Sequence, residues 1–115
     1  MVARNMQWGV LRWVREFRNL TQAQVAAQIR ARGGRMSDDH LSRVERGEGA
    51  SLAYDTVQAW ADTLGVPLSA LDALRRTAMS PDQVRALAAE FVFNSLDRLS
   101  DHELDALLRE RYGRR

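Results

Sequence analysis

Residues 20–47 read LTQAQVAAQIRARGGRMSDDHLSRVERG, and this stretch decides the fold. Thr21 offers a hydroxyl to a free backbone N–H and Gln24 stands three residues on, the capping-box pattern that starts a helix. Val25, Ala26 and Ile29 recur at helical spacing and supply a buried stripe, and Gly33-Gly34 ends the helix. Ser37 is the next cap. Asp38 and Asp39 fall in the first turn of the helix it opens, where carboxylates complement the positive end of the macrodipole, and Leu41 and Val44 face inward. Two short helices closely joined, the second rich in long polar side chains, have the form of an element that enters a DNA major groove.

Working outward, Met6, Val10, Leu11, Trp13, Val14 and Phe17 follow the period of an amphipathic helix over about residues 5–18. Gly47, Glu48 and Gly49 break the chain after the quoted stretch. Tyr54, Val57, Trp60, Ala61 and Leu64 then mark a fourth helix that Gly65 stops, and Pro67 and Ser69 open a short fifth with Leu71 and Leu74. After Thr77 the register restarts. Ser80-Pro81-Asp82-Gln83 combines a cap, a proline at the first helical position and a capping glutamine; Val84, Leu87, Ala88, Phe91, Val92, Ser95 and Leu96 form the stripe that follows. Ser100 and Glu103 repeat the capping box for a helix carrying Leu104, Leu107, Leu108 and Tyr112, and a turn at Arg98 and Leu99 would make the pair an αα-hairpin. No strand-like alternation, internal repeat or low-complexity segment interrupts this all-α reading. It divides into residues 1–79, a five-helix domain, and residues 80–115, a two-helix hairpin.

The chain has 115 residues, 45% hydrophobic and 28% charged, enough for one core and ordinary for a folded soluble protein. It carries no apolar run near the ~18 residues of a membrane span and no leader pattern, so the expectation is a cytoplasmic protein without a membrane partner. With no cysteine, disulfides and thiolate chemistry are excluded, and His40 and His102 alone offer imidazole; no metal or other cofactor is expected. Residues 1–50 hold nine arginines against Glu16, Asp38, Asp39, Glu45 and Glu48, whereas residues 77–115 hold six arginines against seven acids. The N-terminal half is the one suited to a polyanion.

Arg15 ahead of Leu20-Thr21-Gln22, then Val25-Ala26, Leu41-Ser42 with Glu45 and Gly47, then Leu64-Gly65-Val66 and Leu71 stand in the order found in one family. Over about residues 11–71 the chain resembles the helix-turn-helix domain of lambda and Cro-type phage repressors and the xenobiotic-response-element family. The resemblance implies a five-helix lambda-repressor-like domain, double-stranded DNA as partner, transcription regulation as output, and association with the nucleoid. It also implies that Arg15 and Glu45 form a structural ion pair fixing the angle at which the third helix is offered to DNA.

By the same resemblance Gln22 touches a phosphate, as suits a side chain at a helix N-terminus; the plain alternative is an exposed polar residue in a capping turn. Asp38, Asp39, His40 and Arg43 stand at the base-reading positions. Arg43 can bond bidentately to guanine O6 and N7, worth about 1–3 kcal/mol of discrimination. The aspartates depart from the family's usual choice, since carboxylates repel phosphate; they serve the helix N-terminus or accept from cytosine N4. A second departure is length, because Val25 to Leu41 is about five positions longer than the compact motif. The added residues include Arg30, Arg32, Gly33, Gly34 and Arg35. Either the second helix runs an extra turn, or a basic wing forms in which Arg32 and Arg35 add phosphate contacts and Arg35 can reach the minor groove; the plain alternative is a solvated loop whose arginines serve solubility. Ser37, Arg46 and Ser51 are lesser phosphate candidates.

The apolar face of the C-terminal hairpin needs cover, from the N-terminal domain or from a second chain. The expectation is a homodimer through Val84, Leu87, Phe91, Leu96, Leu104, Leu107 and Leu108, since such domains gain affinity from two half-sites. The leading function is therefore a dimeric DNA-binding regulator, most simply a repressor. The alternative is an antitoxin or anti-repressor that holds a protein partner on the hairpin. No catalytic triad order, phosphate loop or HExxH is present, so an enzyme is not expected.

Overall fold

Hydroxyl caps set the frame of the computed structural model, which describes residues 6–48, 52–75 and 79–112. Helix α1 is Met6–Phe17, and Asn19, at φ 59, turns the chain out of it. Asparagine tolerates this left-handed conformation better than most side chains. At α2, Gln22–Ala31, both capping-box bonds are made: the Gln24 N–H donates to Thr21 Oγ1 at 3.0 Å and the Thr21 N–H to Gln24 Oε1 at 2.8 Å. At α3, Asp38–Glu45, the His40 N–H donates to Ser37 Oγ at 3.0 Å. Helix α4, Tyr54–Leu64, has no side-chain cap at Ala53 and ends on Gly65 at φ 74; α5 is Leu68–Arg75. Boxes at Ser80 and Ser100 open α6, Pro81–Phe93, and α7, Asp101–Tyr112. The described residues hold seven α-helices and no strand, the all-α architecture read from the sequence. The side chains of Met6 and Tyr112, assigned to apolar stripes above, and Thr77 lie outside what is described.

The C-terminal helices differ from expectation in two ways. First, α6 stops at Phe93. Ser95 takes a left-handed φ of 55, and a 3₁₀ turn at Leu96–Arg98 follows, so Leu96 enters the core from this turn instead of extending the α6 stripe. Second, α6 lies chiefly along α1 and α7 along α5, with one ion pair, Arg111 to Glu90, tying α7 back to α6. Val84, Leu87, Phe91, Leu96, Leu104 and Leu108, expected at an interface with a second chain, are buried inside the single chain, and Leu107 is half-buried against the same core. An interface made of these residues is therefore corrected: the hairpin face finds its cover on the N-terminal helices.

Gly9 shows why this is possible. A Cβ there would come within 3.2 Å of Val84 Cγ1, so the missing side chain lets α6 press against α1. One continuous core results, running from Val10, Leu11 and Val14 of α1 through Val25, Ile29, Leu41 and Trp60 to Leu87, Phe91 and Leu104. Burying each of the larger side chains contributes about 1.5–3 kcal/mol. Trp8 stacks on Trp60 with ring centroids 5.3 Å apart, which places both indoles in the core; Trp13 is only half-buried. Trp60 Nε1 is buried without a hydrogen-bond acceptor among the described residues, which offsets part of that gain by about 1–3 kcal/mol.

Candidate nucleic-acid interface

Three helices meet at one carboxylate. Glu45, in the last turn of α3, accepts from Arg15 Nε at 2.8 Å and Arg15 Nη2 at 2.9 Å, and from Gln22 Nε2 at 2.9 Å. Arg15 uses its remaining Nη1 to donate to the Leu20 carbonyl at 2.9 Å. The side chains of Arg15 and Glu45 are 11% and 2% exposed, so the pair is largely withdrawn from water. An ion pair so buried does not by itself argue for stability, but losing one member would strand a charge at a cost of about 3–5 kcal/mol. Its geometric effect is direct: α1, α2 and α3 are fixed to one another through a planar, bidentate contact.

Gln22, expected on a phosphate, donates one of its two amide N–H groups to Glu45. Sequence periodicity could not show this, since it arises only when α2 and α3 pack. The amide carbonyl is not used in that bond.

The added residues divide between the two alternatives. Helix α2 extends to Ala31, and the connection Arg32–Ser37 is tied down along its length. The Gly34 N–H donates to the Ile29 carbonyl at 2.9 Å, Arg30 Nη1 to the Met36 carbonyl at 2.7 Å, and the Arg35 N–H to the buried Thr56 Oγ1 at 3.0 Å, while the Met36 side chain enters the core. The two glycines have separate reasons. Gly33 sits at φ 94, whereas a Cβ on Gly34 would come within 2.7 Å of Ile29 Cγ2 and 3.2 Å of Ala59 Cβ. The connection is thus an anchored ledge with the exposed side chains of Arg32 and Arg35 on its outer side. Met36 and Thr56 were missed from sequence. A methionine between an arginine and a serine reads as loop, and Thr56 acquires its role only from the packing of α4 on α2.

Along α3, the aspartates part company. Asp38 lies 3.7 Å from Arg30, an exposed pair that balances its charge and links α2 to α3, whereas Asp39 is exposed with no ion pair among the described residues. His40 is half-buried. Arg43 is exposed and makes no hydrogen bond or ion pair to a described residue. Ser37 accepts a bond as a cap, which leaves its O–H free to donate. Arg46 is engaged, donating from Nε to Glu48 at 2.9 Å and from Nη1 to Ser42 Oγ at 2.6 Å. The bond from Arg46 and then its charge hold the Glu48 carboxyl below its ordinary range, with a smaller pull from Arg43, and the same bond raises Arg46. Ser51 lies outside the described residues.

The resulting surface has Arg32, Arg35, Ser37, Asp39 and Arg43 exposed across one helix-connection-helix unit, with Asp38 and Arg46 already partnered. No group of His, Asp and Glu among the described residues could hold a metal ion, and no described helix is long and apolar enough to cross a membrane. A family model described as a helix-turn-helix domain matches residues 9–74, which runs from α1 into α5 and includes the whole of this unit. No curated protein and no solved structure matches the chain.

Proposed function

The chain belongs to the helix-turn-helix domain family, and on that premise we propose that it is a sequence-specific transcriptional regulator, most simply a repressor, that binds operator DNA as a dimer with α3 in the major groove. Helix-turn-helix domains are DNA-binding modules; the repressor role, the dimer, the lambda and Cro-type subfamily and residence on the nucleoid are parts of this reading. The observation that carries it is the exposed Arg43 of α3, which makes no hydrogen bond or ion pair with a described residue, on a helix whose angle Arg15, Glu45 and Gln22 hold fixed.

Arg43 reads guanine through O6 and N7. Arg32, Arg35 and the Ser37 hydroxyl lie beside it and contact phosphates, setting register and affinity without base information. Asp39, free of Arg30, accepts from cytosine N4, while Asp38 serves structure. Arg46 joins the phosphate contacts when it leaves Glu48, and Gln22 donates to a phosphate the amide N–H that Glu45 leaves free. An acidic start of α3 that barred DNA would favour the antitoxin or anti-repressor reading; the Arg30 partner of Asp38 weakens that support.

The test is selection of genomic fragments by the purified protein, wild type and Arg43→Ala, at two salt concentrations. Enriched palindromes with half-sites about 10 bp apart, blurred at one position by the substitution, are expected. Affinity should fall steeply with salt, since each neutralised phosphate releases counterions. Unenriched fragments with salt-insensitive binding would overturn the reading.

A further inference from the structure

Helix α6 is apolar on two sides. Val84, Leu87, Ala88 and Phe91 are buried toward the core, and on the outer side Ala86, Ala89 and Phe93 follow at three- and four-residue spacing, Phe93 being 66% exposed. The exposed Asp82 and Arg85 border this outer stripe, and the described residues leave its Phe93 end uncovered. Phe93 is not an isolated surface ring. It meets Phe17 edge-on at 5.7 Å, and Phe17 lies 5.8 Å from Trp13, so an aromatic seam runs along the groove between α1 and α6. At its head the guanidinium groups of Arg12 and Arg85 sit 4.9 and 4.8 Å from the Trp13 ring centre. An exposed aromatic ring continued by two half-buried ones, with arginine at the patch's edge, has the composition of an interface centre.

We propose that this seam is the homodimer interface, occupied by the same seam of a second copy turned antiparallel about a two-fold axis. Charge complementarity selects that occupant. Helices α1 and α6 run in the same direction, since Gly9 faces Val84 and Phe17 faces Phe93. Arg85, which forms no ion pair with a described residue, therefore lies toward one end, and Glu16, exposed and bonded to Arg12 at 3.2 Å, toward the other, where it can exchange that neighbour for a partner's arginine. A two-fold turn brings Glu16 of each copy to Arg85 of the other, whereas a parallel arrangement would set like charges together.

The position of the seam fits the same partner. At 100° per residue, Arg15 points from α1 toward α3, and Trp13 and Phe17 leave α1 on nearly the opposite side. A two-fold axis through the seam therefore leaves both copies of α3 outside the interface, free to face one DNA duplex. This placement rests on the operator-binding reading; the self-association does not.

Sedimentation equilibrium without DNA tests the proposal. Wild type should be dimeric at micromolar concentration. Phe93→Glu, at an exposed site, should weaken association ~tenfold or more with helical content unchanged, and Tyr54→Glu, at the other large exposed ring, should leave it intact. Arg85→Glu should weaken the dimer and Glu16→Arg in the same chain should restore it. A wild type that stays monomeric above about 100 µM, or a Phe93→Glu dimer as tight as wild type, would overturn the interface. Salt-dependent DNA binding measured on the same samples separates the two claims: Arg43→Ala should lower it without changing association.

Discussion

Ser37 opens α3 and Ser80 opens α6 with the same bond, 3.0 and 3.2 Å from backbone nitrogen to hydroxyl oxygen, yet the two helices are then held by different forces. Helix α3 is positioned by directional polar contacts: Glu45 with Arg15 and Gln22 at one end, and Asp38 with Arg30 at the other. Helix α6 is positioned by shape, with the bare Gly9 backbone against Val84 and with Leu87 and Phe91 sealed beneath it. Polar contacts specify an angle; apolar burial supplies stability and tolerates many angles. A surface that must be presented at a fixed tilt is built the first way, and the element that closes the core is built the second way.

The strongest challenge to this contrast is to remove residues 80–115. Were they an appendage, as the hairpin reading supposed, the remainder would melt nearly as the full chain does. Because α6 covers α1 and α7 covers α5, we expect the truncated chain to melt at least ~10 °C lower or to lose its cooperative transition, as followed by circular dichroism. Phe91→Ala in the full chain is the graded version, with an expected cost of about 3–5 kcal/mol in urea unfolding and no change in the DNA sequence preferred.

Glu45→Ala probes the other region. It leaves the Arg15 guanidinium buried without its carboxylate and should cost about 3–5 kcal/mol, together with the loss of tight operator binding. The double change Arg15→Met with Glu45→Leu removes both charges and should recover most of the stability. DNA affinity should stay low in that double variant, because the angle of α3 is no longer specified. If affinity returned with stability, the ion pair would matter for folding alone.

These two regions also differ in what could be read from the chain. Helix starts were legible wherever a side chain caps locally, at Thr21, Ser37, Ser80 and Ser100, since the bond spans three residues and needs no tertiary partner. The Arg15–Glu45 pair, thirty residues apart, was legible only through the family resemblance. Burial of the C-terminal face was not legible, because an apolar stripe does not say which surface covers it. The break after Phe93 was missed for a local reason: a serine in the left-handed region carries no sequence signal, and Leu96 continued the helical spacing. The anchored connection was half legible, as Gly33-Gly34 announced a stop but not the bond from Arg35 to Thr56.

The shared caps give a smaller and more even test. Ser37→Ala and Ser80→Ala should each cost about 1 kcal/mol, within a range of roughly 0.5–2, by chemical denaturation. Their effects on DNA should diverge. Ser37 sits at the start of α3, the helix proposed to enter the groove, so its loss should lower affinity beyond what stability explains; Ser80 should leave affinity unchanged. Equal effects on DNA would mean that the cap acts only through folding.

The smallest effect concerns two glutamates whose carboxyls are both held below their ordinary value. Glu48 is lowered first by the hydrogen bond from Arg46 and then by that residue's charge, and Glu103 by the backbone and side-chain bonds of the Ser100 cap. A carboxyl lowered in the folded state contributes stability that is fully present above its unfolded value, here near 4.5, and is lost as pH falls through the folded value. Both groups are fully exposed, so neither should move the melting temperature measurably between pH 6 and 8, and any effect belongs below about pH 4.5. Function should separate them at neutral pH. Glu48→Gln removes the charge that competes with phosphate for Arg46, so DNA affinity should rise a few-fold and the salt dependence should steepen by about one ion. Glu103→Gln, which keeps an acceptor for the Ser100 N–H on the far side of the fold's chemistry, should change neither. Carboxyl titration by NMR gives the control: a Glu48 midpoint at or above 4.5 would show that Arg46 is not held in solution, and the affinity gain would then need another source.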